Sequence, residues 1–174
     1  MTEFVFDTAF NITLGFEGNY QCLENDRGNW TSGKVGEGEL RGTKYGISAS
    51  AYPDLDIKNL TIEQAKEIYH RDYWDRCKCA FIPDSLSIAL FDFAVNSGVK
   101  RAVRYLQRAL DITIDGVIGN QTIGACNRVP TRYVLNKYLD LRIEYLMSLK
   151  SWKYFGNGWG NRVKLLRNVC EKYL

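Results

Sequence analysis

Apolar positions recur first at the N-terminus. Phe4, Val5, Ala9, Phe10, Ile12, Leu14 and Phe16 predict a helix over residues 4–16, and Gly18 stands where its C-cap would fall. From residue 18 to 58 the rhythm stops and Gly, Asn and Thr prevail. That stretch predicts loops with a short hairpin, the kind of segment that lines a groove. Ala51-Tyr52-Pro53-Asp54 marks a turn. Thr61 and Gln64 form a capping box, with Leu60 and Ala65 as its hydrophobic staple. The helix that follows is expected to bury Ile62, Ala65, Ile68 and Tyr69 and to run to about Trp74.

The second half is more strongly patterned. Ser85 or Ser87 is expected to open an apolar helix through Ile88, Ala89, Leu90, Phe91 and Phe93, stopped by Gly98. Val99, Ala102, Val103, Leu106 and Leu110 mark an amphipathic helix with Arg101, Arg104 and Arg108 on its outer face. A short helix should follow the Asp115-Gly116 turn. Thr131 is read as the cap of a long helix through Leu139, Tyr145 and Leu149, and residues 162–174 as the last helix. The fold class is therefore mainly α, or α+β with a small loop or β lobe.

Composition narrows this further. A chain of 174 residues with 45% hydrophobic content can bury a full core as one body. Its 23 basic and 20 acidic residues leave a net charge of +3, a mild excess that suits a polyanionic partner without requiring one. With 3 prolines, no low-complexity stretch and no internal repeat, linkers and solenoids are not expected. The start lacks a basic segment before its apolar residues, and Asp7 and Asn11 interrupt them, so it does not read as a signal peptide. Synthesis in the cytoplasm is expected. No window approaches 18 uninterrupted apolar residues, so no membrane insertion is expected either. Five cysteines, an odd count, read as free thiols. Cys77 and Cys79 are too close for a standard zinc pair and His70 stands apart from them, so neither metal nor cofactor is expected.

Three polar segments carry candidate chemistry. Glu17 sits within Leu14-Gly15-Phe16-Glu17-Gly18-Asn19-Tyr20. Asp26 lies in Glu24-Asn25-Asp26-Arg27-Gly28-Asn29-Trp30-Thr31, and Thr43 opens Thr43-Lys44-Tyr45-Gly46-Ile47-Ser48. Glycoside hydrolysis needs one carboxyl group to protonate the leaving oxygen and a second polar group to hold or activate water. A glutamate at a helix C-terminus, with Phe16 and Tyr20 beside it, would be kept protonated by the helix field and by desolvation. The plainer reading is a solvated glutamate at a helix end.

These residues resemble glycoside hydrolase family 108, the bacterial and phage N-acetylmuramidases that include endolysins and secretion-associated muramidases. The family's Glu-Gly-Gly-Tyr motif is matched by Glu17-Gly18-Asn19-Tyr20, with Asn19 replacing the second glycine. Its Asp-containing loop is matched by residues 25–30, and its Thr-x-aromatic-Gly-Ile-Thr/Ser element by residues 43–48. The second half resembles the peptidoglycan-binding region paired with that family, through residues 91–98, 106–110, 115–122 and 156–163. The resemblance implies a lysozyme-like fold, with a muramidase catalytic region over 1–84 and a helical peptidoglycan-binding-like region over 85–174, packed into one body. It implies cleavage of the β-1,4 bond between N-acetylmuramic acid and N-acetylglucosamine, for host lysis or for wall remodelling during secretion. The partner would be peptidoglycan glycan strands, acted on in the periplasm by a monomer that another factor releases.

Glu17 carries over as the catalytic acid, with Asp26 and Thr43 beside it. Thr31 is the alternative hydroxyl, separated from Thr43 by what looks like an insertion over residues 32–41. Tyr45 and Asn96 are the expected substrate contacts, the first by stacking on a sugar, the second by bonding an N-acetyl group. Tyr52, Trp74 and Trp159 could also stack on sugars, or could belong to the core. Two other functions compete. One is a peptidoglycan-binding protein without catalysis, against which the intact Glu17 and Asp26 speak. The other is a helical nucleic-acid binder, for which the net charge is too low and too mixed. No nucleic-acid partner is expected.

Overall fold

The computed structural model describes residues 2–15 and 18–174. Glu17, Phe16 and Met1 lie outside the described residues. The chain forms two compact units. One holds the chain up to Ala9 together with His70–Leu174, and the other holds Phe10–Tyr69. The fold class is mainly α with a small two-stranded sheet, as expected, and is of the lysozyme-like kind.

The larger unit is built around α3 (Asp84–Ser97), against which α4 (Val99–Ala109), α6 (Thr131–Ser148) and α7 (Trp152–Cys170) all pack. Every residue of α3 from Ser85 to Ala94 is buried. A helix apolar on all sides has to be the centre of a bundle. The start of α1 (Thr2–Leu14) belongs to this core, because the Phe6 ring meets Trp74 at 5.3 Å and Phe91 at 5.7 Å. Thr8 and Tyr173 share a hydroxyl hydrogen bond of 2.8 Å. The segment α5 (Asn120–Arg128) follows the Asp115-Gly116 turn. Buried Gln107 ties that turn down, donating to Asp115 Oδ1 at 2.7 Å and accepting from the Gly116 amide at 2.8 Å.

Several boundaries differ from the sequence expectation. Helix α1 spans Thr2–Leu14, so Gly18 is not its cap, and the expected continuation to Phe16 falls on a residue outside the described ones. Gly15 follows, donating its amide to the Asn11 carbonyl, and glycine is a poor residue with which to extend a helix. Ser85 and Ser87 do not open α3. Pro83 stands at its N-cap, and the Ser87 hydroxyl instead donates to the Cys79 carbonyl at 2.6 Å. Thr131 is the first residue inside α6, with Pro130 as the cap and no side-chain capping bond. The last long helix begins at Trp152, ten residues before the expected start, and runs through Gly156, Gly158 and Gly160. At Gly156 a Cβ would lie 2.7 Å from the Trp152 indole, so the missing side chain is what the tryptophan packs into.

In the smaller unit, β1 (Thr43–Lys44) and β2 (Ile47–Ser48) form the expected hairpin, with Thr43 opposite Ser48 and Lys44 opposite Ile47. Its two-residue turn has φ +52° at Tyr45 and +73° at Gly46, the sign pattern of a type I′ turn. The capping box at α2 (Ile62–Tyr69) is formed as expected. Thr61 N donates to Gln64 Oε1 at 2.9 Å, and Gln64 N to Thr61 Oγ1 at 3.2 Å. Ala65, Ile68 and Tyr69 are buried, but Ile62 is 41% exposed, a correction to the expected face. Residues His70–Trp74 form a π-helical turn. Cys22 is an exposed thiol and Cys77, Cys79, Cys126 and Cys170 are buried thiols. No helix among the described residues is long and apolar enough to cross a membrane.

Candidate active site

Among the described residues of the expected site, Thr43 is held by backbone bonds on both sides. It exchanges two backbone bonds of 2.8 Å with Gln21 on one side and pairs with Ser48 on the other. Its backbone therefore lies between two antiparallel neighbours, the bridge at Gln21 and strand β2. Its hydroxyl donates to Asn29 Oδ1 at 2.8 Å. With its proton committed, the hydroxyl offers only lone pairs to anything else that approaches.

Asn29 is the hub of this unit. Its side chain is fully buried. Nδ2 donates to the Leu23 carbonyl at 3.1 Å, and the backbone N–H donates to the Asp26 carbonyl at 3.1 Å. Its own carbonyl accepts from Arg41 N at 2.9 Å and Gly42 N at 3.0 Å. One residue thus joins the Asp26 loop to the Thr43 strand. Sequence reasoning missed it, because an asparagine within a polar run carries no periodic signal of burial.

Asp26 caps a short 3-10 turn, Arg27–Asn29, and is half-buried. Its Oδ1 accepts from the Gly28 amide at 2.8 Å. No hydrogen bond from a described residue reaches Oδ2, so that oxygen keeps its acceptor capacity.

Tyr45 sits at the tip of the hairpin and is half-buried. A tyrosine at positive φ is uncommon, and two bonds hold it there. Its amide donates to the Gly18 carbonyl at 3.1 Å, and its carbonyl accepts from Tyr69 Oη at 2.8 Å. The hairpin tip is thereby tied to the residue that follows Glu17 in the chain. Gly42, entering β1 at φ +83°, leaves no room for a side chain, since a Cβ would lie 2.4 Å from the Gln21 carbonyl oxygen and 2.8 Å from the Tyr20 ring.

Thr31 belongs to a different arrangement. Its hydroxyl accepts from the Glu39 amide at 2.9 Å and closes the loop between Trp30 and Leu40. Asn96 lies in the larger unit, on the last turn of α3. It is exposed, and its Oδ1 accepts from the Ser97 hydroxyl at 3.0 Å. The structure therefore brings Asp26 and Thr43 into one hydrogen-bonded set through Asn29, ties Tyr45 to Gly18, and gives Thr31 a loop-closing role. Among the described residues no group of His, Cys, Asp and Glu has the arrangement of a metal site.

Tyr52 and Trp159 are half-buried and Trp74 is buried. Trp74 packs edge-on against Phe6 and Phe91 and is a core residue.

Comparison with known proteins places the whole fold and its family. The structure of SagA from Brucella abortus superposes with a TM-score of 0.81 at 29% sequence identity, covering 98% of this chain and 96% of that one. No curated protein matches the chain. The model of the family Glycosyl hydrolase 108 matches residues 4–98, more than half of the chain and all three polar segments. The chain belongs to glycosyl hydrolase family 108.

Proposed function

We propose that this glycoside hydrolase is an N-acetylmuramidase, hydrolysing the β-1,4 bond between N-acetylmuramic acid and N-acetylglucosamine in peptidoglycan. Glu17 is the general acid that protonates the leaving oxygen. Asp26 and Thr43 hold the attacking water, and Tyr45 and Asn96 contact the substrate. Residues 85–174 contribute peptidoglycan binding beyond the catalytic region of residues 1–84. The enzyme acts in the periplasm, in host lysis or in wall remodelling for secretion.

The observation that carries this reading is the Thr43–Asn29–Asp26 set. The Thr43 hydroxyl donates to Asn29 Oδ1, so toward a water it can only accept. Asp26 keeps Oδ2 as a second acceptor. A water donating to both would have its lone pair directed elsewhere, as an attacking nucleophile requires. Thr43 is preferred to Thr31 because the Thr31 hydroxyl is engaged in closing its own loop. Attack by a protein-held water inverts the anomeric centre.

Mass spectrometry of fragments released from defined peptidoglycan tests the reaction. Hydrolysis at the proposed bond gives fragments with N-acetylmuramic acid at the new reducing end. N-acetylglucosamine there, or an anhydro sugar, would refute it. Proton NMR of the first product tests the stereochemistry, and release of the β-anomer would rule out inversion.

A further inference from the structure

A groove of about 510 Å³ runs along α4, on the larger unit, lined by Lys100, Arg101, Arg104 and Arg108 over a floor of Tyr105 and Ile114. All four cations are exposed. Among the described residues none of them pairs with a carboxylate. Arg101 donates to the Ser97 carbonyl at 3.1 Å and lies 4.9 Å above the Tyr145 ring. Asp115, in the adjoining turn, is already engaged by Gln107 and by the Val117 amide.

This arrangement costs the folded chain stability. Arg101, Arg104 and Arg108 are spaced so that like charges neighbour one another along the helix. Lys100 and Arg101 also stand in the first turn of α4, where the helix field disfavours cations. The side chains are nevertheless positioned. A Cβ on Gly116 would lie 3.0 Å from Lys100 Cγ and 3.1 Å from Arg104 Cγ, so both stems rest on that turn. Uncompensated cations held in place over an apolar floor form a surface complementary to a ligand with several anionic groups.

We propose that this groove binds the peptide stems of peptidoglycan through their carboxylates. The inference rests on the reading of peptidoglycan as the substrate. Three of the four cations are arginines, whose planar forks match carboxylates two bonds at a time. Arg101 and Arg108 are about 10 Å apart along the helix axis, enough for successive carboxylates of one short peptide. Tyr105 and Ile114 accept its small aliphatic side chains. A glycan stripped of its stems by an amidase keeps a lactyl carboxylate on each muramic acid but lacks the stem carboxylates and the aliphatic side chains.

Co-sedimentation of the full chain with insoluble peptidoglycan tests this, using material with intact stems and the same material after amidase removal of the stems and methylamidation of the lactyl carboxylates that this frees. Binding should be at least several-fold weaker on stripped glycan, and the preference should shrink as salt is raised. The Arg101→Gln/Arg104→Gln/Arg108→Gln variant should lose the preference. The double variant Arg104→Gln/Arg108→Gln changes side chains that make no internal bond and relieves like-charge repulsion, so its melting temperature should not fall, and it should still lose most of the preference. Equal wild-type binding to both materials would overturn the proposal. So would retention of the preference in the double variant, or stronger competition by single-stranded DNA than by stem peptides. Release of soluble fragments is measured separately. A protein that prefers stems yet cleaves nothing would refute the hydrolase reading alone, and one that cleaves without preferring stems would refute this proposal alone.

Discussion

Arg142 and Asp92 form a buried ion pair, 2.7 Å apart and each 1% exposed in its side chain. Arg162 reaches the same carboxylate from α7 at 2.8 Å. One anion therefore sits between two guanidinium groups, and the Arg142 guanidinium also lies 4.9 Å from the Phe93 ring centroid. Removing the carboxylate leaves two cations inside a helical core. Asp92→Asn should cost about 3–5 kcal/mol, read as a large fall in melting temperature. An unchanged melt would mean that the triad does not hold α3, α6 and α7 together.

The same carboxylate sets a pH dependence. Burial by itself raises the Asp92 pKa, but Arg142 and Arg162 outweigh it and hold the group below its ordinary value. A carboxylate lowered in the folded state adds stability that is fully present above its unfolded pKa of about 3.9. That stability is lost as pH falls through the folded value. The wild type should therefore lose stability below about pH 4, and Asp92→Asn should lose less over that range. Parallel pH–stability curves would contradict this.

Glu17→Gln removes the proposed proton donor and should lower peptidoglycan hydrolysis by about 10²–10⁴-fold, with the melt unchanged. Asp26→Asn should keep the cap on the Gly28 amide, because asparagine caps as well as aspartate, and should still lose most activity. A turbidity assay on purified walls reads both. Near wild-type clearing by either variant would remove that residue from the mechanism.

Gly42 and Gly36 have nearly the same backbone, φ +83° and +79°, but different surroundings. Nothing lies within 4 Å of a Cβ built on Gly36, whereas one on Gly42 meets the Gln21 carbonyl oxygen at 2.4 Å. Gly36→Ala should cost only the strain of the left-handed backbone, about 1 kcal/mol. Gly42→Ala should cost several times more and weaken activity, because it displaces the strand that carries Thr43. Equal melts for the two variants would refute the distinction.

Truncation after Asp84 should abolish the cooperative melt. Phe6 and Trp74 would lose Phe91, and the first turns of α1 would lose their packing partner. A 1–84 fragment that melts cooperatively and clears peptidoglycan would show that residues 85–174 are dispensable.

What could be read in advance was what local chemistry dictates. The Thr61–Gln64 capping box, α4 from its apolar spacing and a short hairpin within residues 18–58 follow from local composition, whereas the position of its turn at Tyr45-Gly46 did not. The start of α7 did not, because three glycines in Gly156-Asn157-Gly158-Trp159-Gly160 resemble a loop until Trp152 is seen packed against Gly156. Asn29 was hidden for a related reason, since its partners lie at residues 23, 26, 41, 42 and 43. Arg142 did leave a trace. It falls on the stripe of Leu135, Leu139 and Leu146, where a charge requires a buried partner.

The loop from Thr31 to Glu39 leaves the Asn29 hub and returns to it. Asn29 accepts from Arg41 and Gly42 on the far side, while Thr31 and Glu39 close the neck. What happens beyond that neck is mechanically isolated from the site. Length there can vary at the slow logarithmic cost of a longer closed loop. The exposed tip at Gly36 is thus a natural port for a graft: an affinity tag, a fluorophore or a cell-targeting peptide could be spliced in while the loops gathered at Asn29 keep their shape.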